Sequence, residues 1–156
     1  DLTLSGPIQA ELWVATSGTD SDSIVKIIDV LPDSAKDPDP NPRKVRMGGY
    51  QMLVRGEVMR GRFRSSYEHP EPFEPSKPTK VAFELQDLLH TFKRGHRMMV
   101  QIQSTWFPLI DRNPQKFVPN IYKAEKEDFI KATQRVYRSN DHPTTLKVGV
   151  LKALDQ

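Results

Sequence analysis

The chain has 156 residues, 37% of them hydrophobic, which supports one buried core but not two. Its 23 basic and 20 acidic side chains are interleaved and leave a net charge of +3, so the surface is that of a soluble domain rather than a nucleic-acid binder. No apolar run approaches the roughly 20 residues that cross a bilayer, and the absence of cysteine excludes disulfides and thiolate chemistry.

Thirteen prolines and eight glycines divide the chain into short apolar segments, which favours many short strands over long helices. The first predicted strand, 7–17, alternates apolar residues on one face. The second, 24–31, is apolar on both faces and is therefore predicted to be central in its sheet. Residues 32–44 contain four prolines and are predicted to form an exposed loop.

The segment 50–64 alternates less regularly and is predicted to be a long strand or hairpin, with a bulge or bend at Gly56 and Gly61. Its three alternating arginines are predicted to lie on a solvated sheet face: Arg60, Arg62 and Arg64. Residues 81–85 form the next strand, and 86–92 are predicted to form a helical turn that Gly95 ends.

A strong strand is predicted over 96–107, stopped by Pro108, with inward side chains at Met98, Val100 and Ile102. A short helix over 124–132 and strands at 133–138 and 146–150 complete the chain. Seven or eight strands predict an all-β fold, a jelly-roll or galactose-binding-like β-sandwich with short helical turns, as a single domain over 1–156. Because the chain begins without a methionine, we expect it to be a fragment of a longer protein.

The sequence lacks the common catalytic and metal-binding patterns. The chain has no Gly-x-Ser-x-Gly elbow, and its four histidines lack the spacing of a zinc site. Asp20, Asp22 and Asp29 suggest a calcium cluster, but the EF-hand glycine and glutamate are missing, so an ordinary turn is favoured. We therefore predict no catalytic residues, no metal ligands and no cofactor.

The most distinctive patch follows the strand that Pro108 ends. It combines two aromatic residues with a polar run, and its members are Trp106, Phe107, Asp111, Arg112 and Asn113. The patch has two interpretations: the aromatics close the edge of the core while the polar residues order a loop, or the same residues contact a neighbouring domain. We predict an interdomain contact.

Three segments carry a resemblance to a known family: LSGPIQAELWVATSGTDSDSIVKIIDVLPD (4–33), GEVMRGRFR (56–64) and FKRGHRMMVQIQSTWFPLIDRNPQKF (92–117). Together they resemble the C-terminal domain of the Xaa-Pro dipeptidyl-peptidase, cocaine esterase and α-amino-acid ester hydrolase family, which includes glutaryl-7-aminocephalosporanic-acid acylases. Segments 67–73 and 120–136 look closer to the ester hydrolase branch. The resemblance implies a non-catalytic β-sandwich that supports an upstream α/β-hydrolase domain and a helical cap. The catalytic serine, aspartate and histidine then lie upstream of Asp1.

Two other functions remain open at this point. A jelly roll can bind carbohydrate through exposed aromatic residues, although Trp13 and Trp106 both fall in strand patterns. A purely structural or dimerising module would instead bury Trp106 and Phe107 between copies. The sequence leaves the compartment undetermined, with a periplasmic or secreted location among the alternatives.

Overall fold

The structure is a computed structural model, and it describes residues 1–152. Within that range the chain forms seven strands, in the order β1 (Leu2–Thr16), β2 (Asp22–Val30), β3 (Gln51–Arg60), β4 (Thr79–Phe92), β5 (Arg97–Gln103), β6 (Gln134–Val136) and β7 (Thr145–Leu151). The predicted all-β sandwich is confirmed. No helix among residues 1–152 has the length and apolar character to span a membrane.

The strands form two antiparallel sheets. In the first, β1 lies between β4 on one side and the short strands β6 and β7 on the other. In the second, β2 lies between β3 and β5, as its two apolar faces predicted. The core fills the space between the sheets and includes Leu4, Ile8, Leu12, Val25, Ile27, Val81, Phe83 and Leu85. The sandwich is held together chiefly by burial of these side chains.

The predicted helical turn over 86–92 is wrong, because β4 continues unbroken to Phe92. The apolar residues Leu85, Leu88 and Phe92 have the three- and four-residue spacing of a helix. In the structure all three are buried in the core, and the register of β1 against β4 shifts between Gly6 and Ile8. A register shift of this kind absorbs the extra residue and returns the later side chains to the inner face. Gly95 is nevertheless needed, since it has φ +89° in the turn that leads to β5.

The predicted helix over 124–132 is also wrong. Residues 124–132 contain one 3₁₀ turn, Lys126–Asp128, and another, Ile121–Lys123, precedes them. Glu125 and Asp128 form a reciprocal capping arrangement, but Phe129 is exposed and no apolar face packs on the core. Short helices are stabilised mainly by such packing, so the segment does not continue beyond one turn.

The predicted solvated arginine stripe is wrong as well. β3 ends at Arg60, and a 3₁₀ turn, Gly61–Phe63, follows, so the three arginines do not share a strand face. Arg62 is buried and pairs with the carboxylate of Asp20, whereas Arg64 bonds the carbonyl oxygens of Gly61, Glu71 and Pro72. Each guanidinium thus serves a loop contact rather than a solvent-facing charge.

A second buried carboxylate lies at the opposite end of β2. The Asp29 side chain is almost fully buried and contacts two histidine rings, with 2.9 Å from Oδ2 to Nε2 of His90 and 2.9 Å from Oδ1 to Nδ1 of His96. His90 is on β4 of the opposite sheet, and His96 is in the β4–β5 turn. Asp29 therefore joins the two sheets and the turn at this end of the sandwich.

Candidate interdomain surface

The predicted contact residues lie in the long segment 104–120 that follows β5. This segment is fastened to the turn between β1 and β2. The carbonyl oxygen of Gln115 accepts hydrogen bonds from the backbone N–H groups of Thr19 and Asp20, at 3.0 and 3.3 Å. The Thr19 hydroxyl accepts from the N–H of Phe117 at 2.8 Å. A segment without strands of its own is thereby given a defined position.

Arg62 reinforces this attachment from beneath. Its Nε donates to Oδ2 of Asp20 at 2.9 Å, one of its terminal nitrogens donates to the carbonyl oxygen of Val118 at 2.7 Å, and its guanidinium lies 4.4 Å from the centre of the Phe117 ring. Burial raises the pKa of the Asp20 carboxyl, against the opposing charge of Arg62. A buried ion pair of this kind depends on both partners, because each alone would be an uncompensated charge.

Asn113 is the next anchor. Its side-chain amide donates to Oδ1 of Asp22 at 2.9 Å, and its Oδ1 accepts from the N–H of Gln115 at 2.8 Å. Asp22 is also buried, and burial raises the pKa of its carboxyl to about 6. The β1–β2 turn and the segment after β5 are thus joined by two buried carboxylates, each with a partner that sequence periodicity does not reveal.

Two further predicted contact residues are engaged inside the domain. Trp106 packs on the outer face of the second sheet, where its Cη2 would lie 2.7 Å from a β-carbon placed on Gly56, and the Lys26 ammonium is 4.3 Å from its ring centre. Gly56 is required because any side chain would displace the indole. Asp111 forms an ion pair with Arg60 at the end of β3.

Phe107 and Arg112 are the two predicted residues that face outward. Phe107 is 56% exposed, and the Arg112 guanidinium lies 4.6 Å from its ring centre without an ion pair or side-chain hydrogen bond among residues 1–152. They line one groove of about 660 Å³ together with residues of the 3₁₀ region, including Tyr122, Lys126 and Phe129. We call these five residues, Phe107, Arg112, Tyr122, Lys126 and Phe129, the docking face.

Sequence reasoning missed Tyr122 and assigned Phe129 to a helix. Tyr122 is 83% exposed and Phe129 is 45% exposed, and Leu109 and Ile130 nearby are also exposed. A signal was present in the sequence, because these apolar residues lie among charged ones without the alternation of a strand. Exposed apolar side chains that recur along one stretch of chain, here 107–130, are typical of a contact surface.

The three carboxylates considered for calcium do not converge. Asp20 pairs with Arg62 and Asp22 with Asn113, while Asp29 contacts the two histidines at the far end of β2. Among the described residues no group of three or more carboxylate or histidine side chains is arranged to hold a metal ion.

Comparison with known proteins decides the family. The family described as the X-Pro dipeptidyl-peptidase C-terminal non-catalytic domain matches residues 1–147. The chain belongs to this family. Its members are defined as non-catalytic, which agrees with the missing nucleophile elbow. The predicted resemblance is thereby confirmed.

Relatives place this non-catalytic domain in larger hydrolases. Cocaine esterase of Rhodococcus sp. (strain MB1 Bresler) is 28% identical over 149 residues, which are 96% of this chain and 23% of that protein. An aminopeptidase from a marine sediment Thaumarchaeota archaeon is 45% identical with a TM-score of 0.87, over 97% of this chain and 24% of its own. An α-amino acid ester hydrolase is 43% identical with a TM-score of 0.88, over 96% and 24%. The chain thus spans about a quarter of each relative.

Proposed function

We propose that this domain is carried by a larger serine hydrolase that acts on α-amino-acid esters, acyl amides or Xaa-Pro peptides. In this proposal the domain supports an upstream α/β-hydrolase domain of the same polypeptide and contacts it through the docking face. The relatives named above, an esterase, an aminopeptidase and an amino acid ester hydrolase, each devote about three-quarters of their length to other parts.

The observation that carries the contact is the combination of exposure and anchoring. Phe107 and Tyr122 are largely exposed, yet the segment that bears Phe107 is held by the buried Asp22–Asn113 and Asp20–Arg62 contacts. A preformed apolar patch with a cationic rim loses little conformational entropy on association. Arg112 and Lys126 provide that rim and suit an acidic edge on the partner domain.

A carbohydrate platform is less well supported. Trp13 is partly buried and lies edge-on to His142, with 4.7 Å between ring centres, and Trp106 is packed over Gly56. Both indoles are thus partly buried and held by neighbours within the domain, unlike the fully exposed rings that form a platform for a sugar.

The test compares the parent polypeptide with the 156-residue chain, using Phe107→Ala and Arg112→Ala. Arg112 has no polar partner within residues 1–152, so both substitutions should leave the melting of the isolated chain nearly unchanged. In the parent, each should lower thermal stability or turnover of an amino-acid ester, with about 1–2 kcal/mol lost at a central contact.

Leu89→Ala is the matched control, because Leu89 is 73% exposed on β4, outside the docking face. It should have little effect in either protein. A fluorophosphonate probe, which labels activated serines, should modify the parent and not the 156-residue chain. Loss of stability in the isolated chain without a larger loss in the parent would count against the docking face.

A further inference from the structure

One side of the sandwich is left open. On the closed side, β3 lies beside β4, and Arg55 donates to the carbonyl oxygen of Asp87. On the other side, β5 is the edge of the second sheet, and β6 and β7 are the edge of the first. A cleft of about 290 Å³ between the end of β5 and β6 enters the interior there, lined by Val14, Ile102 and Val136 among others.

The side chains along this opening point toward the core but are not covered. Residues directly opposite in an antiparallel pair lie on the same face of the sheet. Val100 is opposite Ile27, and Val148 is opposite Ile8, so both valines face inward. Ile27 and Ile8 are each 1% exposed, whereas Val100 is 42% and Val148 is 39% exposed.

The next pair in each sheet repeats the pattern. Met98, opposite the buried Asp29, is 40% exposed, and Val150, opposite the buried Leu4, is 50% exposed. Inward-facing apolar residues on both sheets are therefore solvated over two successive positions. Buried apolar area is the main source of stability in such a fold, so an uncovered stretch of core predicts a missing covering element.

The edge of β5 identifies what kind of element is missing. Within residues 1–152 no strand pairs with the outer side of β5, so its backbone groups form an open template for another strand. The second sheet has three strands where the first has four.

We propose that an extended segment of the parent polypeptide, outside these 156 residues, pairs with β5 and covers Val100 and Val148. The segment has apolar residues at alternate positions and about the seven-residue length of β5. A second copy of this chain fits less well, since the exposed side chains belong to the inner faces of two sheets roughly 10 Å apart. A strand paired with β5 extends the second sheet, and its inward side chains then fill that opening, whereas the outer sheet face of a second copy would not pair with β5.

This inference rests on the proposed parent protein but not on the docking face, which lies elsewhere in the chain. The relatives extend well beyond the matched region, since it makes up only 23–24% of their length, so a parent of that kind has ample chain to supply the strand.

The experiment uses single cysteine variants, Val100→Cys and Val148→Cys, because the 156-residue chain contains no cysteine. Leu89→Cys is the control on the closed side of the sandwich. In the 156-residue chain all three thiols should react with a maleimide at similar rates. In the parent, positions 100 and 148 should react at least about tenfold more slowly than position 89. The rates are corrected by subtracting the labelling of the unsubstituted parent.

Hydrogen exchange on the unsubstituted parent tests strand pairing independently of the variants. The alternate amides of β5 that do not bond to β2 should be protected in the parent and exchange readily in the 156-residue chain. Equal labelling at positions 100 and 89 in the parent would overturn the proposal. So would slow labelling with those amides still exchanging, which indicates a covering surface without a strand.

A dimer of the 156-residue chain that protects positions 100 and 148 would assign the opening to a second copy and would also overturn it. The docking-face variants test the other proposal separately. If Phe107→Ala and Arg112→Ala have no effect in the parent, the docking face is wrong but the added strand is not. If the cysteines at positions 100 and 148 are not protected in the parent, the added strand is wrong but the docking face is not.

Discussion

Asp22 gives the sharpest test of the buried contacts, because its carboxyl is almost completely buried and its pKa is raised from 3.8 to about 6. The native state therefore holds this proton more tightly than the unfolded chain does. As pH rises from about 4 to about 6, the unfolded chain releases the proton first, and the free energy of unfolding falls. The linkage relation between those two pKa values gives a loss of about 3 kcal/mol, complete above about pH 7.

Asp22→Asn should remove that loss. An asparagine carries no charge, and its oxygen can still accept the hydrogen bond that Asn113 donates at 2.9 Å. The free energy of unfolding of the variant minus that of the original chain should therefore increase between pH 4 and pH 8, by up to about 3 kcal/mol. The assay is urea denaturation of both proteins at pH 4, 6 and 8, and the difference between them cancels groups that they share.

Asp128→Asn is the matched control of opposite sign. Asp128 is paired with Lys116 at 2.8 Å, which with the N–H of Glu125 lowers the pKa of its carboxyl. That contact stabilises the chain at neutral pH and is lost as pH falls through the lowered pKa. The original chain should therefore have a higher free energy of unfolding than Asp128→Asn at pH 8, and the difference should shrink at low pH. A stability difference for Asp22→Asn that stays constant from pH 4 to 8 would refute the reasoning.

Two further predictions concern buried contacts of the 3₁₀ turn that follows β3. Arg62→Met should lower the free energy of unfolding by about 3–5 kcal/mol, because it leaves the Asp20 carboxylate buried without its partner. Urea denaturation measures the loss, and Arg135→Met, at an exposed arginine, is the control. A loss no larger than that of the control would contradict the prediction. Gly61→Val should prevent folding, as judged by circular dichroism, since a β-carbon there would lie 2.3 Å from the Phe73 ring. Ser34→Val, in the exposed loop, is the control and should be tolerated. Equal tolerance at both sites would contradict the packing at Gly61.

The all-β class and most strands could be predicted from the sequence because alternation and proline placement act locally. The two apolar faces of β2 predicted its central position, and the strand over 145–151 was recognised from three alternating apolar residues. The missing elbow and the three matched segments together indicated a non-catalytic domain, and the family comparison confirmed it.

The tertiary structure decided the rest, because it depends on contacts between residues far apart in the chain. The spacing of Leu85, Leu88 and Phe92 resembles a helix until pairing with β1 shows that a register shift absorbs the extra residue. Arg62 reads as one of three alternating charges, and only folding brings it to Asp20, 42 residues away. Val100 was predicted from the sequence to face inward, but its exposure depends on which strand flanks β5. Local patterns determine which face of a strand is apolar, whereas long-range pairing determines what covers that face.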